Sequence, residues 1–369
     1  ELLRICGYFL CAYGHVRNQG DFQEHGKNIL SRSSERFAAI DLVHDSNRAK
    51  VLIASTYFNQ GQIDEALIVL DEASLSYGND QLHPTHLLIS VNKIAYLVWK
   101  RDFQSALSIF RDIQIPMELC EDRLLLARFH THAGMLFGRI DKYAEASAHY
   151  AKAIEYSREL GNTRYAATSL NNLAFAQSRD GRTEEAEENA AEAIEIFDEL
   201  GDTGWLAIVH DTKAQICLAA GKLEEAMSEI DESIRLFREG ESFSSLTDSL
   251  WVRTHILLRA GEKEEAFMQF AELSDIASRE IGEYAVRKYA DEFAKIVHVK
   301  KGSDFFGEVQ AFKRDMLMES LVEADADISK AAKKLKTSRK DIIHVLNREF
   351  PDIYLELGIS TQVMSAANN

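Results

Sequence analysis

The chain has 369 residues, enough for about two and a half domains of ordinary size. Hydrophobic residues make up 46% and charged residues 27%, with only 3 Pro and 19 Gly, which excludes collagen, proline-rich linkers and wholesale disorder. The net charge of −17 argues against nucleic-acid binding by the chain as a whole.

The amino-terminal segment, ELLRICGYFLCAYG, is apolar but has neither a basic flank nor a small-residue cleavage site, so a signal peptide is not expected. Glu1 lies inside an amphipathic pattern, and we expect the chain to be a fragment of a longer one. The cysteines stand in apolar helical contexts without CxxC spacing, which predicts reduced thiols and a cytoplasmic protein. They are Cys6, Cys11, Cys120 and Cys217.

A forty-residue repeat runs through most of the chain. An alanine recurs at intervals of forty residues, and a second, mostly small residue precedes each alanine by twelve. Small residues let two helices approach closely, and the apolar residues around them recur at helical spacing, so each repeat is predicted to be a helical hairpin. Gly161 ends one helix and Asn162 or Thr163 can cap the next, a pattern that recurs forty residues later. The first column is Ala66, Ala106, Ala146, Ala186, Ala226 and Ala266, and the second is Ala54, Ile94, Gly134, Ala174, Ala214 and Thr254.

These hairpins resemble the tetratricopeptide repeat in its forty-residue form, most closely in GKLEEA (221–226) and SLNNLAFAQ (169–177). The resemblance covers residues 41–280. A degenerate further repeat is predicted at the amino terminus, where Gly14 lies forty residues before Ala54 and GDFQEH (20–25) is slipped by one residue. The resemblance implies an all-α, right-handed superhelical solenoid over residues 1–299, of about seven hairpins and a capping helix at 283–299.

The same resemblance implies that the first helices line a concave groove that holds a peptide or protein partner. Asn92 and Asn172 match the position at which kinesin light chains and bacterial peptide-sensing regulators hydrogen-bond an extended peptide. A solvated helix face is the alternative for each. The implied groove residues are Arg48, Asn92, Arg128, Thr131, Asn171, Asn172, Asp211, Gln215, Trp251 and His255.

The carboxyl-terminal part has the opposite charge. Between residues 328 and 348 stand seven basic residues and one acid. Two apolar stripes flank a tight turn at Lys336 and Thr337, and Ser338 with Asp341 forms a capping box, so a second helix is predicted to begin at Ser338. This spacing is that of a helix-turn-helix. The stripes are Ile328, Ala331, Ala332 and Leu335, then Ile342, Val345 and Leu346.

The segment ISKAAKKLKTSRKDI (328–342) resembles the Fis-type helix-turn-helix of bacterial activators, and the match extends back through MLMESLVEADAD (316–327). In place of the usual turn glycine stands Lys336. The resemblance implies that the second helix enters the DNA major groove. Its base-reading residues would be Arg339, Lys340 and His344, while Lys330, Lys333 and Lys336 would contact phosphates. The implied DNA-binding set is Lys330, Lys333, Lys336, Ser338, Arg339, Lys340 and His344.

The predicted domains are the array (1–299), a linker (300–304), the helix-turn-helix module (305–358) and a disordered tail (359–369). The helix predicted at 305–323 is either a dimer surface or a helix that packs on the array. Its apolar residues are Phe305, Phe306, Val309, Phe312, Met316 and Leu317.

The sequence thus predicts a bacterial transcriptional regulator whose array binds a peptide or protein and whose terminal module binds duplex DNA, with homodimerisation expected. The alternative is a scaffold or adaptor whose last helices only cap or dimerise the array. No phosphate-binding loop, dinucleotide fingerprint or nucleophile elbow occurs, so neither an enzyme nor a cofactor is expected. His130 and His132 point to different helix faces, and no ligand spacing completes a metal site around them.

Overall fold

The computed structural model is all-helical in the part of the chain that it describes, with no strand there. That part comprises residues 1–16, 20–78, 80, 82–240, 242–282, 286, 289–290, 292–293, 305–335, 339–348, 350–357 and 359, without the side chains of 15, 16, 305–313, 340, 341, 344, 348 and 355. No helix within these ranges is long and apolar enough to cross a membrane.

The residues group into two compact units, Glu1–Ala220 and Gly221–Asn369. The division falls within the predicted array. The predicted linker at 300–304 and all but the first residue of the predicted tail lie outside the described residues, so the domain boundaries stay predictions.

The first unit consists of eleven helices that alternate between two layers. From α1 to α9, each odd-numbered helix packs on the even-numbered helix that follows it and on the next odd-numbered helix. Because successive hairpins share these contacts, no hairpin buries its apolar stripe alone. The helices are α1 (Leu2–Val16), α2 (Gly20–Ala38), α3 (Val43–Asn59), α4 (Ile63–Ser74), α5 (Pro84–Lys100), α6 (Phe103–Glu118), α7 (Arg123–Arg139), α8 (Tyr143–Glu159), α9 (Thr163–Arg179), α10 (Thr183–Glu199) and α11 (Thr203–Ala219), with a single 3-10 turn at Leu75–Tyr77.

The two small-residue columns lie where the helices touch. All six alanines of the first column are fully buried, and so are the six residues of the second column. The predicted hairpins are therefore confirmed in this unit. The column also continues to the amino terminus: Gly26, forty residues before Ala66, is buried so closely that a Cβ there would lie 2.4 Å from Cys11 Sγ.

Caps and left-handed turns end the helices as the sequence indicates. Asn162 Oδ1 accepts from the Tyr165 backbone N–H at 3.1 Å, and Asp202 Oδ1 accepts from the Trp205 backbone N–H at 3.2 Å. The described turns at residues 61, 101, 141, 181, 221 and 261 each place one residue at positive φ. Glycine stands at four of these six turn positions, whereas Arg101 (φ 65°) and Asp141 (φ 59°) occupy the other two.

Arg101→Gly is expected to raise the free energy of unfolding by about 0.5–1 kcal/mol, because glycine adopts the left-handed region without the steric cost that a Cβ imposes. Thermal unfolding of the full chain measures the effect. Arg111→Gly, at an exposed interior position of α6, should instead lower stability by about 1 kcal/mol. Equal destabilisation by both substitutions would contradict the role of the turn.

The second unit begins with α12 (Leu223–Glu239), α13 (Phe243–Ala260) and α14 (Lys263–Glu280), which pack in succession. Of the predicted capping helix at 283–299, only 286, 289–290 and 292–293 are described, and all five residues are helical. Tyr289 and Phe293 are buried against α13 and α14, where both contact the Trp251 ring. These residues therefore cover the apolar end of the α13–α14 pair.

Four further helices share a core of their own. They are α15 (Phe305–Glu323), α16 (Ile328–Lys334), α17 (Arg339–Arg348) and α18 (Asp352–Glu356). Asp327 caps α16 by accepting from the backbone N–H groups of Ser329 and Lys330 at 2.9 and 3.1 Å. The predicted apolar stripes face inward, with Leu335 and Val345 only half-buried. The core residues are Leu317, Leu321, Ala324, Ile328, Ala331, Ala332, Ile342, Ile343, Leu346, Phe350, Ile353 and Tyr354.

This core corrects one part of the predicted dimer surface. Leu317 is 2% exposed and packs inside the module, so it cannot face a second copy. Met316 is half-buried. Helix α15 contacts α14, as expected from the alternative in which this helix packs on the array instead of forming a dimer surface. The side chains of Phe305, Phe306, Val309 and Phe312 lie outside the described residues, as does the turn with Lys336, Thr337 and Ser338. The predicted capping box between Ser338 and Asp341 is therefore untested.

Candidate functional site

The layer of odd-numbered helices in the first unit, α3 to α11, carries eight of the ten predicted groove residues. Hydrogen bonds between neighbouring repeats hold this layer together. Tyr96 donates its hydroxyl to Ser55 Oγ at 3.1 Å, and His132 Nδ1 lies 3.0 Å from the Val91 carbonyl oxygen. Both contacts join residues 41 positions apart. Both contacts could therefore have been predicted from the sequence by looking for a polar residue that follows its partner by 41 positions, one more than the repeat length.

Asn92 and Thr131 bond to their own helices. Asn92 Nδ2 donates to the Leu88 carbonyl oxygen at 2.8 Å, and Thr131 Oγ1 donates to the Ala127 carbonyl oxygen at 2.9 Å. Both side chains are buried. The hydroxyl donor of Thr131 and one of the two N–H donors of Asn92 are therefore satisfied internally, so a peptide would have to displace these bonds to use them.

The next two helices differ from this pattern. Asn171, on α9, is 5% exposed, and its Oδ1 atom makes no hydrogen bond. Asn172 is half-buried beside it. On α11, Gln215 Nε2 donates to Asp211 Oδ1 at 2.5 Å, and both side chains are partly accessible. Asn172, Asp211 and Gln215 are therefore partly accessible on α9 and α11. Arg128, on α7, is half-buried, and Arg48, on α3, is exposed.

The remaining two predicted groove residues belong to the second unit, where they form an aromatic cluster. Trp251 contacts the rings of His255, Phe270, Tyr289 and Phe293 with centroids 4.5 to 6.3 Å apart. Burial lowers the pKa of His255, an effect that Glu292 partly offsets, and its Nε2 atom has no hydrogen-bond partner. This aromatic cluster lies in the packing of the second unit. Trp251 and His255, which the sequence predicts to line the groove, therefore also have a structural role.

Three further polar residues share an electrostatic link to Arg128 that sequence reasoning missed. Burial raises the pKa of Tyr96 and of Tyr165 and lowers the pKa of His132 to about 4. The positive charge of Arg128 contributes to the pKa of all three. A sequence pattern offers no reason to group them, because they come from three different repeats.

The basic residues of the terminal module are accessible where they are described. Lys330 and Lys333, on α16, and Arg339, at the start of α17, are all exposed. Lys334 instead pairs with Glu323. Lys340 and His344 lie on α17, but their side chains are outside the described residues, as are Lys336 and Ser338. The module thus presents at least three cations over a closed apolar core.

No metal-binding arrangement stands out. Within the described ranges, no three His, Cys, Asp or Glu side chains are grouped as metal ligands. His130 and His149 do meet, with their Nδ1 atoms 2.9 Å apart. No disulfide joins the four cysteines, of which Cys11 and Cys217 are buried and Cys6 is exposed.

Comparison with known families identifies the repeats. A family model described as tetratricopeptide repeat matches residues 122–199 and also residues 165–239, so the two matched ranges overlap. Residues 122–239 therefore contain tetratricopeptide repeats. The two matches span α7 to α12, which are the helices whose columns are most regular. No curated protein matches the sequence.

Solved structures share the fold. A Rap protein complexed with competence and sporulation factor is 13% identical, covers 97% of this chain and 98% of its own, and gives a TM-score of 0.64. The apo form of RapI, also 13% identical, covers 97% of both chains with a TM-score of 0.58. A STAND protein with a tetratricopeptide repeat sensor, from Pyrococcus horikoshii, is 14% identical over 82% of this chain with a TM-score of 0.56, and this chain spans about half of its length, 49%. At these identities the comparison shows the helical-repeat fold alone.

Proposed function

We propose that this chain is a non-enzymatic regulator, in which the odd-numbered helices of the repeat array bind a peptide and the terminal helices bind duplex DNA. The array part is supported by the accessible polar groups on α9 and α11. It is also supported by the fold of a Rap protein that was solved with competence and sporulation factor. The neighbouring STAND protein carries its repeats as a sensor, which fits the same use.

The DNA-binding part rests on one observation: a short helical module with its own apolar core exposes Lys330, Lys333 and Arg339 in a chain whose net charge is −17. Such a local reversal of charge is typical of nucleic-acid contact surfaces. Arg339 is the first residue of α17, and the residues at the start of a recognition helix are those that meet base edges. Direct contacts to guanine would give sequence preference, whereas Lys330 and Lys333 would bind phosphates.

A selection of bound duplexes from a random pool at two ionic strengths tests the DNA-binding part. We expect the affinity of the selected duplex, measured by fluorescence anisotropy, to fall steeply as salt rises. Lys333→Ala should weaken all duplexes alike and reduce the salt slope by about 1, and Arg339→Ala should cost roughly 10-fold on the selected duplex and relax sequence preference.

Arg111→Ala, which removes an exposed cation from α6, is the matched control and should change neither property. Binding that is insensitive to salt, or unchanged in both module variants, would reject the DNA-binding part. The chain would then act as a scaffold or adaptor whose last helices only cap or pair the array, and the peptide-binding part would stand.

A further inference from the structure

A cleft of about 400 Å³ lies between α8 and α10, and α9 contributes two buried residues to it. Its exposed wall consists of three alanines of α8 that span two helical turns, about 10 Å along the helix axis. Its buried part is polar, because Ser147 and Gln177 line it at 5% and 4% exposure. The alanines of this α8–α10 cleft are Ala144, Ala148 and Ala151.

The repeat register shows that this polar lining is particular to one repeat. Each of the other five repeats has a larger side chain at the position of Ser147, and each has an apolar or aromatic side chain at the position of Gln177. A buried polar group costs stability unless it is hydrogen-bonded, so close packing does not explain the pair. The residues equivalent to Ser147 are Leu67, Leu107, Glu187, Met227 and Phe267, and those equivalent to Gln177 are Tyr57, Leu97, Phe137, Cys217 and Leu257.

Gln177 is hydrogen-bonded inside the cleft, whereas Ser147 is not. Gln177 Nε2 donates to Glu185 Oε2 at 2.9 Å, and Gln177 Oε1 accepts from Asn189 Nδ2 at 2.7 Å. Ser147 Oγ has no hydrogen-bond partner within the described part of the chain. A buried hydroxyl without a partner is an exception in folded proteins, and a ligand in the cleft can supply the missing bond.

The rim of the cleft carries one more negative than positive charge. Arg182 Nε donates to Asp180 Oδ2, and Arg182 Nη1 donates to Glu185 Oε2, both at 3.1 Å. These bonds use one oxygen of each carboxylate, and the second oxygen of each accepts no hydrogen bond from a described residue. Two carboxylates and one guanidinium leave a charge of −1, which one monovalent cation balances.

We infer that the α8–α10 cleft binds a primary alkylammonium group. Its carbon chain lies along the alanines and Leu173, and its ammonium reaches the free oxygens of Asp180 and Glu185. An ammonium has three N–H donors, which leaves one for the Ser147 hydroxyl after both carboxylates are bound. The side chain of a partner's lysine and a free alkylamine share this chemistry, because each joins an apolar stem to a terminal charge. The inference does not rest on the peptide-binding proposal, since the cleft lies between even-numbered helices.

NMR of the full chain with ¹³C-labelled alanine methyl groups tests the inference. We expect titration with n-pentylamine to shift the methyl signals of Ala144, Ala148 and Ala151, which line the cleft. n-Pentanol has the same carbon chain without the charge and should bind about 10-fold more weakly, the loss of one charge-assisted contact.

A second titration identifies the source of the ammonium. Nα-acetyl-lysine N-methylamide carries the same charge on a stem that is attached to a peptide backbone. An affinity within about 3-fold of that of n-pentylamine assigns the cleft to the lysine of a partner protein, whereas binding of n-pentylamine alone assigns it to a free amine.

Substitutions in the cleft separate its two parts. Ser147→Leu restores the side chain that the other repeats have at Leu67 and Leu107, so it should fill the cleft and weaken n-pentylamine binding by more than about 10-fold. Asp180→Asn should weaken it by about 3- to 10-fold. Glu184→Gln removes an exposed carboxylate of α10 that does not line the cleft, and it should leave the affinity unchanged.

Thermal unfolding of each variant checks that it folds. The inference is wrong if none of the three methyl signals responds to millimolar n-pentylamine, or if n-pentanol binds as tightly as the amine. It is also wrong if Ser147→Leu keeps the wild-type affinity, or if Asp180→Asn loses no more affinity than Glu184→Gln.

Discussion

Gly134→Ala is expected to lower the free energy of unfolding by about 2–3 kcal/mol, which is large for the addition of one methyl group. A Cβ on Gly134 would lie 2.7 to 2.8 Å from three ring atoms of Tyr150, the residue that faces it across the α7–α8 hairpin. Tyr150 is 6% exposed and the ring has no open space into which to move. Because interiors are close-packed, the helices themselves must separate.

A double-mutant cycle isolates this contact. Elsewhere in the array the same two positions are filled by Ala54 with Leu70, so Gly134→Ala should be tolerated once Tyr150→Leu has made room. Tyr150→Leu alone leaves a cavity and costs stability. In its presence, alanine at 134 should be neutral or stabilising, since alanine favours a helix over glycine by about 1 kcal/mol. The coupling between the two substitutions is then about 2 kcal/mol or more.

Gly138→Ala is the matched control on the same helix. The nearest atom to a Cβ there is Ala146 Cβ at 3.9 Å, an ordinary contact. This substitution should raise stability by up to about 1 kcal/mol. Thermal unfolding of the full chain gives the overall effect, and hydrogen exchange of the α7 and α8 amides locates it, because repeat arrays can open locally. Similar behaviour of Gly134→Ala and Gly138→Ala would show that the close approach at Tyr150 does not matter.

The repeat architecture could be read from the sequence because it depends on residues that are equivalent by position. Columns forty residues apart predicted which side chains would be buried, and Ala66, Ala146 and Ala226 are all fully buried. The repeat also indicates which residues face each other across one hairpin. His130 lies 11 residues before the turn at Asp141 and His149 lies 8 residues after it, so both are expected at a similar height of the α7–α8 hairpin.

The candidate groove was less predictable, because local hydrogen bonds decide whether a polar side chain is free to bind a peptide. Asn92 and Asn172 occupy equivalent positions two repeats apart, yet Asn92 donates to its own helix. The family pattern also placed Trp251 in the groove, whereas its ring packs against Tyr289 and Phe293. Whether a side chain faces solvent or a neighbour depends on residues from other repeats, and a periodic pattern does not carry that information.

The histidines of the α7–α8 hairpin make the array sensitive to mild acid. His130 and His149 meet through their Nδ1 atoms at 2.9 Å, an arrangement in which one ring donates its N–H and the other accepts. The rings of Phe137 and Tyr156 stack on the pair. If the accepting imidazole gains a proton, both Nδ1 atoms carry hydrogen and repel, whereas a proton gained by the donating ring goes to its Nε2 atom and leaves the hydrogen bond in place. The hydrogen bond therefore requires that the accepting ring stays neutral.

The pKa values follow from this environment. Burial, with the neighbouring His149 and Lys152, lowers the pKa of His130 to about 3, and burial with Lys152 lowers that of His149 to about 4. Burial likewise lowers the pKa of His132 to about 4. In the unfolded chain these groups titrate near 6.5. The unfolded state thus binds more protons between pH 6.5 and 4, and stability must fall as the pH drops through that window.

Lowering the pH from 7 to 5 is therefore expected to cost about 3 kcal/mol of the free energy of unfolding. Each histidine contributes roughly 1 kcal/mol, which is below the full linkage value because the His130–His149 pair is partly open to solvent. Urea denaturation at both pH values measures the loss. Carboxylates that have lowered pKa values, such as Glu24 and Asp102, lose their contribution only below about pH 4.5, so they do not obscure this window.

The double substitution His130→Phe and His149→Phe should remove about two thirds of the pH dependence that His130, His132 and His149 cause, because phenylalanine fills the same aromatic surroundings without titrating. His83 and His255, whose pKa values burial also lowers, keep their own contributions. His25→Gln, at an exposed position on α2, should leave the dependence unchanged. A pH profile that is the same in the double variant as in the wild type would show that the acid sensitivity arises elsewhere. A flattened profile would show that one hairpin of the array, next to Arg128, sets the lower pH limit of the folded state.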